Sequence, residues 1–595
     1  MSVVTNIKEC TAIAINQLYG VASLPGDILV NATKPEFEGD YTVVLFAFVK
    51  QLKKSPDALG QELGSKILAN NPEIFTGFNL IKGFLNLTIA DGYWLNFIDT
   101  EYANTEFGKS HPKQEKVMVE YSSPNTNKPL HLGHLRNNFL GRSLAEILQT
   151  NGYDVVKTCI VNDRGIHICK SMIAWQRFAN GATPQSANQK GDHFVGDYYV
   201  KFNEAYKQEI AELVAKGITE TEAEKEAPIM KATQQMLLDW EAGKPDVLEL
   251  WSKMNSWVYE GFDATYQRIG SDFDKTYYES NTYLLGKDLV EAGLAKKVFY
   301  QKEDGSVWID LTAEGLDEKI VRRKDGTSVY ITQDIGLAEQ KQKEFNAGQS
   351  IYVVGDEQNY HFKVLKLICQ KLQLPSADGI YHLSYGMVEL PTGKMKSREG
   401  TVVDADDLVE EMVSIARQKT EDLGKVKDFT ETELKELYET IGLGALKFFL
   451  LRVDPKKKMV FNPEESIDFH GFTGPFIQYT HARIKSILRK SGLVEKIETR
   501  NPKTGTILPL EKELIIGLEM FPTVLADAAT EHDPSKLAIY VFNLAKTFNS
   551  FYTEHSIGNA ENEEKKQLRL QLSQMTAQVI KTAMRVLGIK VPERM

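Results

Sequence analysis

The sequence has few cysteines and no long apolar run. Its cysteines, Cys10, Cys159, Cys169 and Cys369, form no C-x-x-C pair. Neither a zinc knuckle nor a disulfide framework is therefore indicated, and we expect reduced thiols and no structural metal. No apolar stretch reaches the ~20 residues of a membrane span. Residues 1–20 lack the basic head and apolar run of a signal peptide, so a cytoplasmic protein without membrane association is expected.

General nucleic-acid binding is not indicated either, because the formal net charge is −11. The charge is unevenly spread, however. Residues 473–595 carry 17 Lys and Arg against 13 Asp and Glu. A mildly basic C-terminal region on an acidic protein favours an RNA-facing module there. A solvated helix face would give the same imbalance.

A chain of 595 residues is too long for one core, so a multidomain α/β protein is expected. An apolar strand at 117–121, a helix at 135–150 and a strand at 155–161 form a β-α-β unit, which begins a parallel nucleotide-binding sheet. The expected divisions are a small α+β domain at 1–110, the sheet domain at 111–404 with a helical insertion at about 180–260, and an all-helical region at 405–595. Further strands are predicted at 307–311, 328–331, 351–354 and 383–388.

The first informative motif follows the strand at 117–121 and opens the helix. It reads S-P-N-T-N-K-P-L-H-L-G-H-L-R from Ser123 to Arg136. His131 and His134 lie one turn apart at a helix start, with Gly133 between them. Such a terminus suits a phosphate, because its N–H groups point outward, its dipole favours anions and glycine lets the ligand approach. Alone, the pair would be interpreted as helix-capping histidines.

The second motif is a small basic loop, G-K-M-K-S-R-E-G, from Gly393 to Gly400. It follows the last predicted strand, from where it could reach the same anion. Together the two motifs resemble the HIGH and KMSKS signatures of class I aminoacyl-tRNA synthetases, and the residues around them resemble the arginyl-tRNA synthetases in particular. The resemblance covers essentially the whole chain.

The resemblance implies a Rossmann-like catalytic domain with a connective insertion, an N-terminal add-on domain that touches the tRNA elbow, and a helical anticodon-binding domain. The implied activity is an arginine–tRNA ligase. ATP and L-arginine form arginyl-adenylate, and the arginine is then transferred to tRNA(Arg), releasing AMP and pyrophosphate. Mg²⁺ would accompany ATP, the enzyme would be a monomer, and arginine activation would need bound tRNA.

The resemblance also assigns the ATP site. His131 and His134 would contact phosphate oxygens, and Lys394, Lys396 and Arg398 would contact the leaving pyrophosphate. The ATP-binding set is completed by Gly133, Met395 and Ser397. The loop reads K-M-K-S-R rather than K-M-S-K-S, so the second lysine of the usual pattern falls on Ser397. A lysine upstream of the first motif is thought to replace it in many arginyl members. Lys128 stands there, and we hypothesise that it is the principal phosphate lysine; a solvated loop lysine is the alternative.

A site for arginine must offer a planar guanidinium several acceptors. Tyr330 and Asp334 place a phenol and a carboxylate four residues apart at a predicted strand-to-helix junction, with the helix beginning near Thr332. The arginyl family uses a Tyr and an Asp at this spacing for the guanidinium. The other arginine-binding residues that the resemblance assigns are Glu120, Asn125, His131 and Gln358. Without the motifs, Tyr330 and Asp334 would be interpreted as a buried tyrosine and a helix-start carboxylate.

The RNA contacts predicted from the resemblance lie in the last third of the chain. Tyr479 and Met595 are candidates for the anticodon loop, by stacking and by an apolar edge. Arg452 and Lys456, in a basic run between helices, are candidates for tRNA phosphates. Helix packing for Tyr479 and a solvated run for the basic residues are the alternatives.

Other functions remain to be weighed against the synthetase. Another class I synthetase and a small nucleotidylyltransferase share the H-x-G-H chemistry. The Tyr330–Asp334 pair and the absence of a Cys/His metal set argue against the cysteine enzyme, and a nucleotidylyltransferase would not need a basic helical C-terminal third. A non-catalytic tRNA-binding relative should have lost His131, His134 or the basic loop, and the sequence retains all three.

Overall fold

The computed structural model describes residues 2–34, 36–375, 377–391, 403–422, 424, 428–491 and 506–595. The predicted loop residues Lys394, Met395, Lys396, Ser397 and Arg398 lie outside these ranges. Within them, no helix is long and apolar enough to cross a membrane.

The N-terminal residues form an antiparallel sheet in the order β1-β2-β4-β3, packed against helices. The predicted α+β character is confirmed. The elements are α1 Val3–Tyr19, β1 Val30–Ala32, β2 Tyr41–Val44, α2 Phe46–Leu52, α3 Pro56–Asn70, β3 Phe75–Ile81, β4 Phe84–Ile89 and α4 Asp91–Glu101, with a 3₁₀ turn at Pro25–Asp27.

A parallel sheet forms the centre of the next domain. Its described strands run in the order β12-β11-β5-β6-β7. The strands and flanking helices are β5 Lys116–Glu120, α5 Leu132–Thr150, β6 Asp154–Val161, α6 Ile166–Phe178, β7 Lys275–Tyr278, α14 Tyr330–Phe345, β11 Gln349–Gly355, α15 Asn359–Lys371 and β12 Ile380–Tyr385. The predicted β-α-β unit is confirmed, and the strand order reverses at β5. Open α/β sheets bind ligands at the carboxyl ends of strands beside such a reversal.

The strand predicted at 307–311 is confirmed over residues 307–309, and the strand predicted at 328–331 is wrong. Residues 307–309 belong to a separate antiparallel sheet, and residues 328–331 run into a helix that begins at Tyr330. The run Val329–Ile331 is β-branched and aromatic, so its short pattern looked like a strand. Ile331 and Ile335 instead face the core one helical turn apart, and a short apolar run does not distinguish the two structures. The elements around it are α12 Glu279–Thr282, α13 Lys287–Ala295, β8 Tyr300–Gln301, β9 Val307–Ile309 and β10 Lys319–Arg322, with a 3₁₀ turn at Thr312–Glu314.

The predicted insertion is helical and ends later than expected. Its helices are α7 Pro184–Ala187, α8 Gly191–Ala215, α9 Glu220–Glu226, α10 Pro228–Glu241 and α11 Pro245–Ile269. Helices α8 and α11 pack closely, because Gly191 and Gly261 lack side chains. A Cβ at Gly191 would lie 2.0 Å from the Trp257 carbonyl oxygen.

The last part of the chain is helical, as predicted, apart from one short parallel strand pair. The helices are α16 Ala405–Asp422, α17 Glu431–Leu451, α18 Pro463–Ser466, α19 Gly474–Lys490, α20 Pro509–Glu519, α21 Phe521–Glu531, α22 Pro534–Glu554 and α23 Glu563–Val586. The 3₁₀ turns at Asp356–Gln358 and Ala377–Gly379 belong to the preceding parallel-sheet domain. The strands β13 Val388–Glu389 and β14 Met459–Val460 pair across the end of the catalytic domain.

The domains share one continuous hydrophobic core, to which Ile7, Leu135 and Phe548 all belong. Polar contacts also join the N-terminal domain to the C-terminal helices. The Val3 N–H donates to Glu519 Oε1 across 2.6 Å, and Lys512 Nζ lies 2.8 Å from Asp40 Oδ1. These contacts hold the first and last domains against each other.

Candidate active site

The two motif histidines cap helix α5. His131 is the N-cap residue, with extended backbone at φ −137° and ψ 174°. The Gly133 N–H donates to His131 Nδ1, and the His131 N–H donates to His134 Nδ1, each across 3.1 Å. Because both Nδ1 atoms accept, each neutral ring carries its proton on Nε2. The pair therefore offers two Nε2–H donors.

Both rings are uncharged at neutral pH. Burial, together with the nearby Lys128 ammonium, lowers the pKa of His131 to about 3. Burial, followed by the effects of His131 and Lys128, holds the pKa of His134 well below its usual range. The pair can therefore donate hydrogen bonds to an anion at pH 7, and the positive charge of the site must come from other groups.

The turn before the helix has a left-handed backbone at two serines. Ser122 and Ser123 have φ values of 82° and 47°. The Ser122 N–H donates to Asn137 Oδ1 across 2.6 Å, which ties the turn to α5. Asn125 pairs with Asn162 beyond the strand ends and is exposed. The turn thus presents Asn125 at the carboxyl edge of the sheet, where it is predicted to contact the substrate.

The segments on both sides of the basic loop are attached to α5. After the loop, the Leu132 N–H donates to the Val403 carbonyl across 3.1 Å, and the Ala405 N–H to the Leu130 carbonyl across 3.0 Å. On the other side, the fully buried Arg136 donates to the Gly386 carbonyl across 2.6 Å. The same helix that carries the histidines therefore fixes where the loop leaves and returns.

A cavity of about 230 Å³ lies beside the histidines. Its lining includes Lys128, His131, His193, Tyr199 and Asp404. The structure thus brings the hypothesised phosphate lysine and His131 to one cavity, with helix α8 of the insertion as the opposite wall. Sequence reasoning did not single out His193, because no local motif marks it.

A polar cluster ties the insertion to the start of α16. Asp406 accepts from Lys190 Nζ across 2.6 Å, from His193 Nε2 across 3.1 Å and from the Thr265 hydroxyl across 3.0 Å. The hydrogen bond to Asp406 raises the pKa of His193. Asp192, His193 and Asp406 have the grouping of a metal site. The Lys190 ammonium already contacts both carboxylates, so the chain supplies its own cation there.

The predicted arginine ligands lie at the same edge of the sheet. Tyr330, the first residue of α14, is 74% exposed. One turn on, Asp334 Oδ2 is hydrogen-bonded to His361 Nε2 at 2.7 Å. Gln358 is exposed in the 3₁₀ turn after β11. His361 was not predicted, since its pairing with Asp334 joins two helices.

Glu120, at the end of β5, is buried and already has a partner. Its carboxylate is ion-paired with Lys341 of α14 and accepts from the Thr158 hydroxyl across 3.3 Å. Tyr352 lies beside Glu120 on the neighbouring strand. Burial, reinforced by Glu120 and less strongly by Asp334, raises the pKa of Tyr352. Glu120 and Asp334, the two carboxylates predicted to bind the guanidinium, therefore both raise the pKa of the buried Tyr352.

A third carboxyl group faces this region and was missed. Burial raises the pKa of Glu279 to about 7, Arg164 opposes this, and Asp163 and Asp334 add to it. A bound cation would lower that pKa again. Glu279 directly follows β7. A carboxylate at the carboxyl end of a strand can be predicted to be a site residue, but residues 275–278 were not predicted as a strand.

Family models match three successive parts of the chain. A model described as tRNA synthetases class I (R), catalytic domain, matches residues 100–462, which is more than half of the sequence. The chain belongs to the class I arginyl-tRNA synthetases. The arginyl tRNA synthetase N-terminal domain matches residues 5–89, and the DALR anticodon binding domain matches residues 477–595.

Full-length relatives agree with this assignment. The synthetase is 54% identical to an arginine–tRNA ligase of Flavobacterium psychrophilum over 98% of both chains, and 48% identical to one of Porphyromonas gingivalis over 100% of both. Its fold resembles the arginyl-tRNA synthetase of Thermus thermophilus, with a TM-score of 0.80, 24% identity and full coverage of both chains. The predicted family and fold class are confirmed, and the non-catalytic alternative is not favoured.

The predicted RNA-facing residues of the synthetase differ in how they are held. Tyr479 is half-buried on α19 with the Arg483 guanidinium 4.8 Å from its ring centre, and Met595 packs partly against the core. Arg452 donates to the Phe472 carbonyl and lies mostly inside the protein. Lys456 is exposed. Their contacts with RNA stay predictions.

Proposed function

We propose that the chain acts as an arginine–tRNA ligase, activating L-arginine with ATP and transferring it to the 3′ end of tRNA(Arg). The observation that carries the proposal is the reciprocal capping of His131 and His134. It leaves two Nε2–H donors at a helix N-terminus, beside a cavity that Lys128 also lines. The Tyr330–Asp334 pair lies at the same sheet edge, so phosphate and guanidinium can be held together.

In the first step a carboxylate oxygen of arginine attacks the α-phosphorus of ATP. The bond to the β-phosphate oxygen breaks, and pyrophosphate leaves. Negative charge grows on the transferred and departing phosphates, so positioned donors and cations supply most of the catalysis. His131 and His134 donate hydrogen bonds, and Lys128 supplies the nearest described positive charge. Mg²⁺ enters with ATP, held largely by phosphate and water.

The basic loop is assigned to the leaving pyrophosphate. Lys394, Lys396 and Arg398 are proposed to contact it, and Gly133, Met395 and Ser397 complete the ATP site. Support comes from the attachment points on α5, which bring the chain on both sides of this segment to the helix that carries the histidines.

The guanidinium is proposed to bind Tyr330, Asp334 and Glu120. Asp334 is oriented by its hydrogen bond to His361. Glu279 adds a carboxyl group whose pKa a cation would lower. Asn125, His131 and Gln358 are proposed for the α-amino and α-carboxylate groups, since the turn and the 3₁₀ segment leave Asn125 and Gln358 exposed.

In the second step a ribose hydroxyl of the terminal tRNA adenosine attacks the adenylate carbonyl, and AMP leaves. The helical C-terminal domain is proposed to hold the anticodon loop through Tyr479 and Met595, and Arg452 and Lys456 to face tRNA phosphates. The N-terminal domain is proposed to touch the tRNA elbow. We further propose a cytoplasmic monomer in which bound tRNA is needed for arginine activation, as the family resemblance implies.

The test is ATP–pyrophosphate exchange, run with and without tRNA(Arg), with lysine and cysteine as control amino acids. We expect exchange with arginine plus tRNA, and none with either control. Exchange with arginine alone would retain the ligase and remove the requirement for tRNA. No exchange under any condition, despite tRNA binding, would support the non-catalytic relative.

A further inference from the structure

A buried ion pair closes the inner end of the proposed arginine site. The side chains of Lys341 and Glu120 are only 3% and 7% exposed. Lys341 lies on α14 seven residues after Asp334, which is two helical turns along nearly the same face. Its ammonium lies 5.3 Å from the Tyr277 ring centre and 5.1 Å from that of Tyr352. The lysine is therefore paired with one carboxylate between two aromatic rings, and the Glu344 carboxylate also lies within electrostatic reach of it.

Stability alone does not account for this pair. Removing two charges from water costs several kcal/mol per ion, and apolar residues of similar volume are often as stable or more stable. Tyr352, whose ring lies beside Lys341, belongs to an apolar cluster that also contains Ile335 and Cys369. A methionine at position 341 with a glutamine at position 120 would therefore suit the packing. The charged pair calls for a functional reason.

The two oxygens of Glu120 are in different states. Both of its described hydrogen bonds, from Lys341 Nζ and from the Thr158 hydroxyl, end on Oε2. Oε1 accepts no hydrogen bond from a described residue, and it is not fully enclosed by the protein. One oxygen is thus taken by the protein, and the other is available to a ligand at the carboxyl end of β5.

We propose that Lys341 is a positioning residue for arginine selection, which fixes Oε2 of Glu120 so that Oε1 meets the substrate guanidinium. The proposal rests on the proposed function, because it takes arginine as the ligand of this site. Lys341 itself does not contact the substrate. Its ammonium balances the charge of Glu120, while Asp334 and Glu279 face the remaining guanidinium charge.

Lys341 is the charged group that holds Glu120 in place. The titratable groups around the carboxylate are Lys341 on α14, Tyr277 on β7, Tyr352 on β11 and Cys159 on β6. Without the ammonium, the Thr158 hydroxyl is the described group left to hold the carboxylate, across 3.3 Å. The carboxylate can then turn, and Oε1 is no longer presented to a guanidinium at one position.

The experiment measures KM for arginine and for ATP in tRNA-supplemented exchange at pH 7. For Lys341→Met we expect KM for arginine to rise at least tenfold, with KM for ATP within twofold of wild type. Lys341→Arg keeps the charge and should stay within about threefold. Glu120→Gln should also raise KM for arginine and leave KM for ATP unchanged.

A double variant separates positioning from a structural role. Lys341→Met combined with Glu120→Gln leaves no buried charge unpaired, so it should fold even where Lys341→Met alone does not. If Lys341 acts only through Glu120, the double variant has the KM of Glu120→Gln. A larger KM for arginine in the double variant, or parallel rises of the two KM values in Lys341→Met, would overturn the proposal. A wild type without arginine-dependent exchange would instead overturn the proposed function, and this proposal with it.

Discussion

The His134 ring accepts a hydrogen bond from the backbone N–H of His131 across 3.1 Å. The capping and phosphate-binding interpretations of the pair are therefore compatible, because they use different ring nitrogens. Nδ1 of each ring satisfies a helix N–H that would otherwise lack a partner, and this fixes the Nε2 proton. Structure and chemistry depend on the same contact.

The first prediction separates these two roles at His134. His134→Ala removes a cap and a donor, so we expect about 1 kcal/mol less stability and a 100- to 1,000-fold slower adenylate formation. In His134→Asn the side-chain oxygen can accept the capping hydrogen bond, but no donor lies as far from the backbone as Nε2 of the histidine. Denaturant unfolding and exchange rates measure the two effects. Recovery of the rate in His134→Asn would contradict the assignment of the Nε2 proton.

The second prediction concerns the charge in the phosphate site. Because both histidines are neutral, Lys128 is the cation that shares the cavity with His131. Lys128→Ala should slow single-turnover adenylate formation far more than Lys396→Ala, by about 100-fold, as loss of one charge-stabilising group does. Lys216→Ala, at an exposed lysine after helix α8, is the matched control. If Lys128→Ala and Lys396→Ala have equal and small effects, Lys128 does not replace the usual loop lysine.

The third prediction addresses the guanidinium. Asp334→Asn keeps the shape of the side chain and removes its charge, so KM for arginine should rise about 100-fold while KM for ATP stays unchanged. His361→Gln should have a smaller effect, near tenfold, because it removes only the group that orients Asp334. An effect of His361→Gln that exceeds that of Asp334→Asn would mean that the histidine contacts the substrate directly.

The sequence was most informative where residues that act together are also close together in the chain. His131, His134 and Lys128 lie within seven residues of one strand-to-helix turn, so their grouping could be predicted from local rules. Groups joined only by the fold, such as Lys341 with Glu120, could not, because no spacing links residues from different elements. The helix predicted to begin near Thr332 begins at Tyr330. Its first two residues were taken for the end of a strand at 328–331, because four residues cannot show a helical period.

The fourth prediction uses a buried lysine at the junction with the C-terminal helices. Lys447 donates to the Gly588 carbonyl across 2.7 Å, and burial lowers its pKa to about 7 from 10.5. Between these values the unfolded chain binds the extra proton, so stability rises with pH, by at most about 1.4 kcal/mol per unit. Below pH 7 both states are protonated, and this contribution stops changing.

Lys447→Met should therefore flatten the dependence of unfolding free energy on pH between 7 and 9. Lys435→Met, at an exposed lysine of the same helix, is the control and should keep the wild-type slope. Denaturant titrations at a series of pH values measure both. An unchanged slope in Lys447→Met would assign the pH dependence to another group.

The contacts of Glu519 with Val3 and of Asp40 with Lys512 fasten the first domain to the last one. The two surfaces proposed to face the tRNA elbow and the anticodon are therefore held at a set separation before any RNA arrives, and no binding energy is spent on bringing them together. An enzyme with these two surfaces fixed would select an RNA by the distance between its elbow and its anticodon, as well as by the bases exposed at either end.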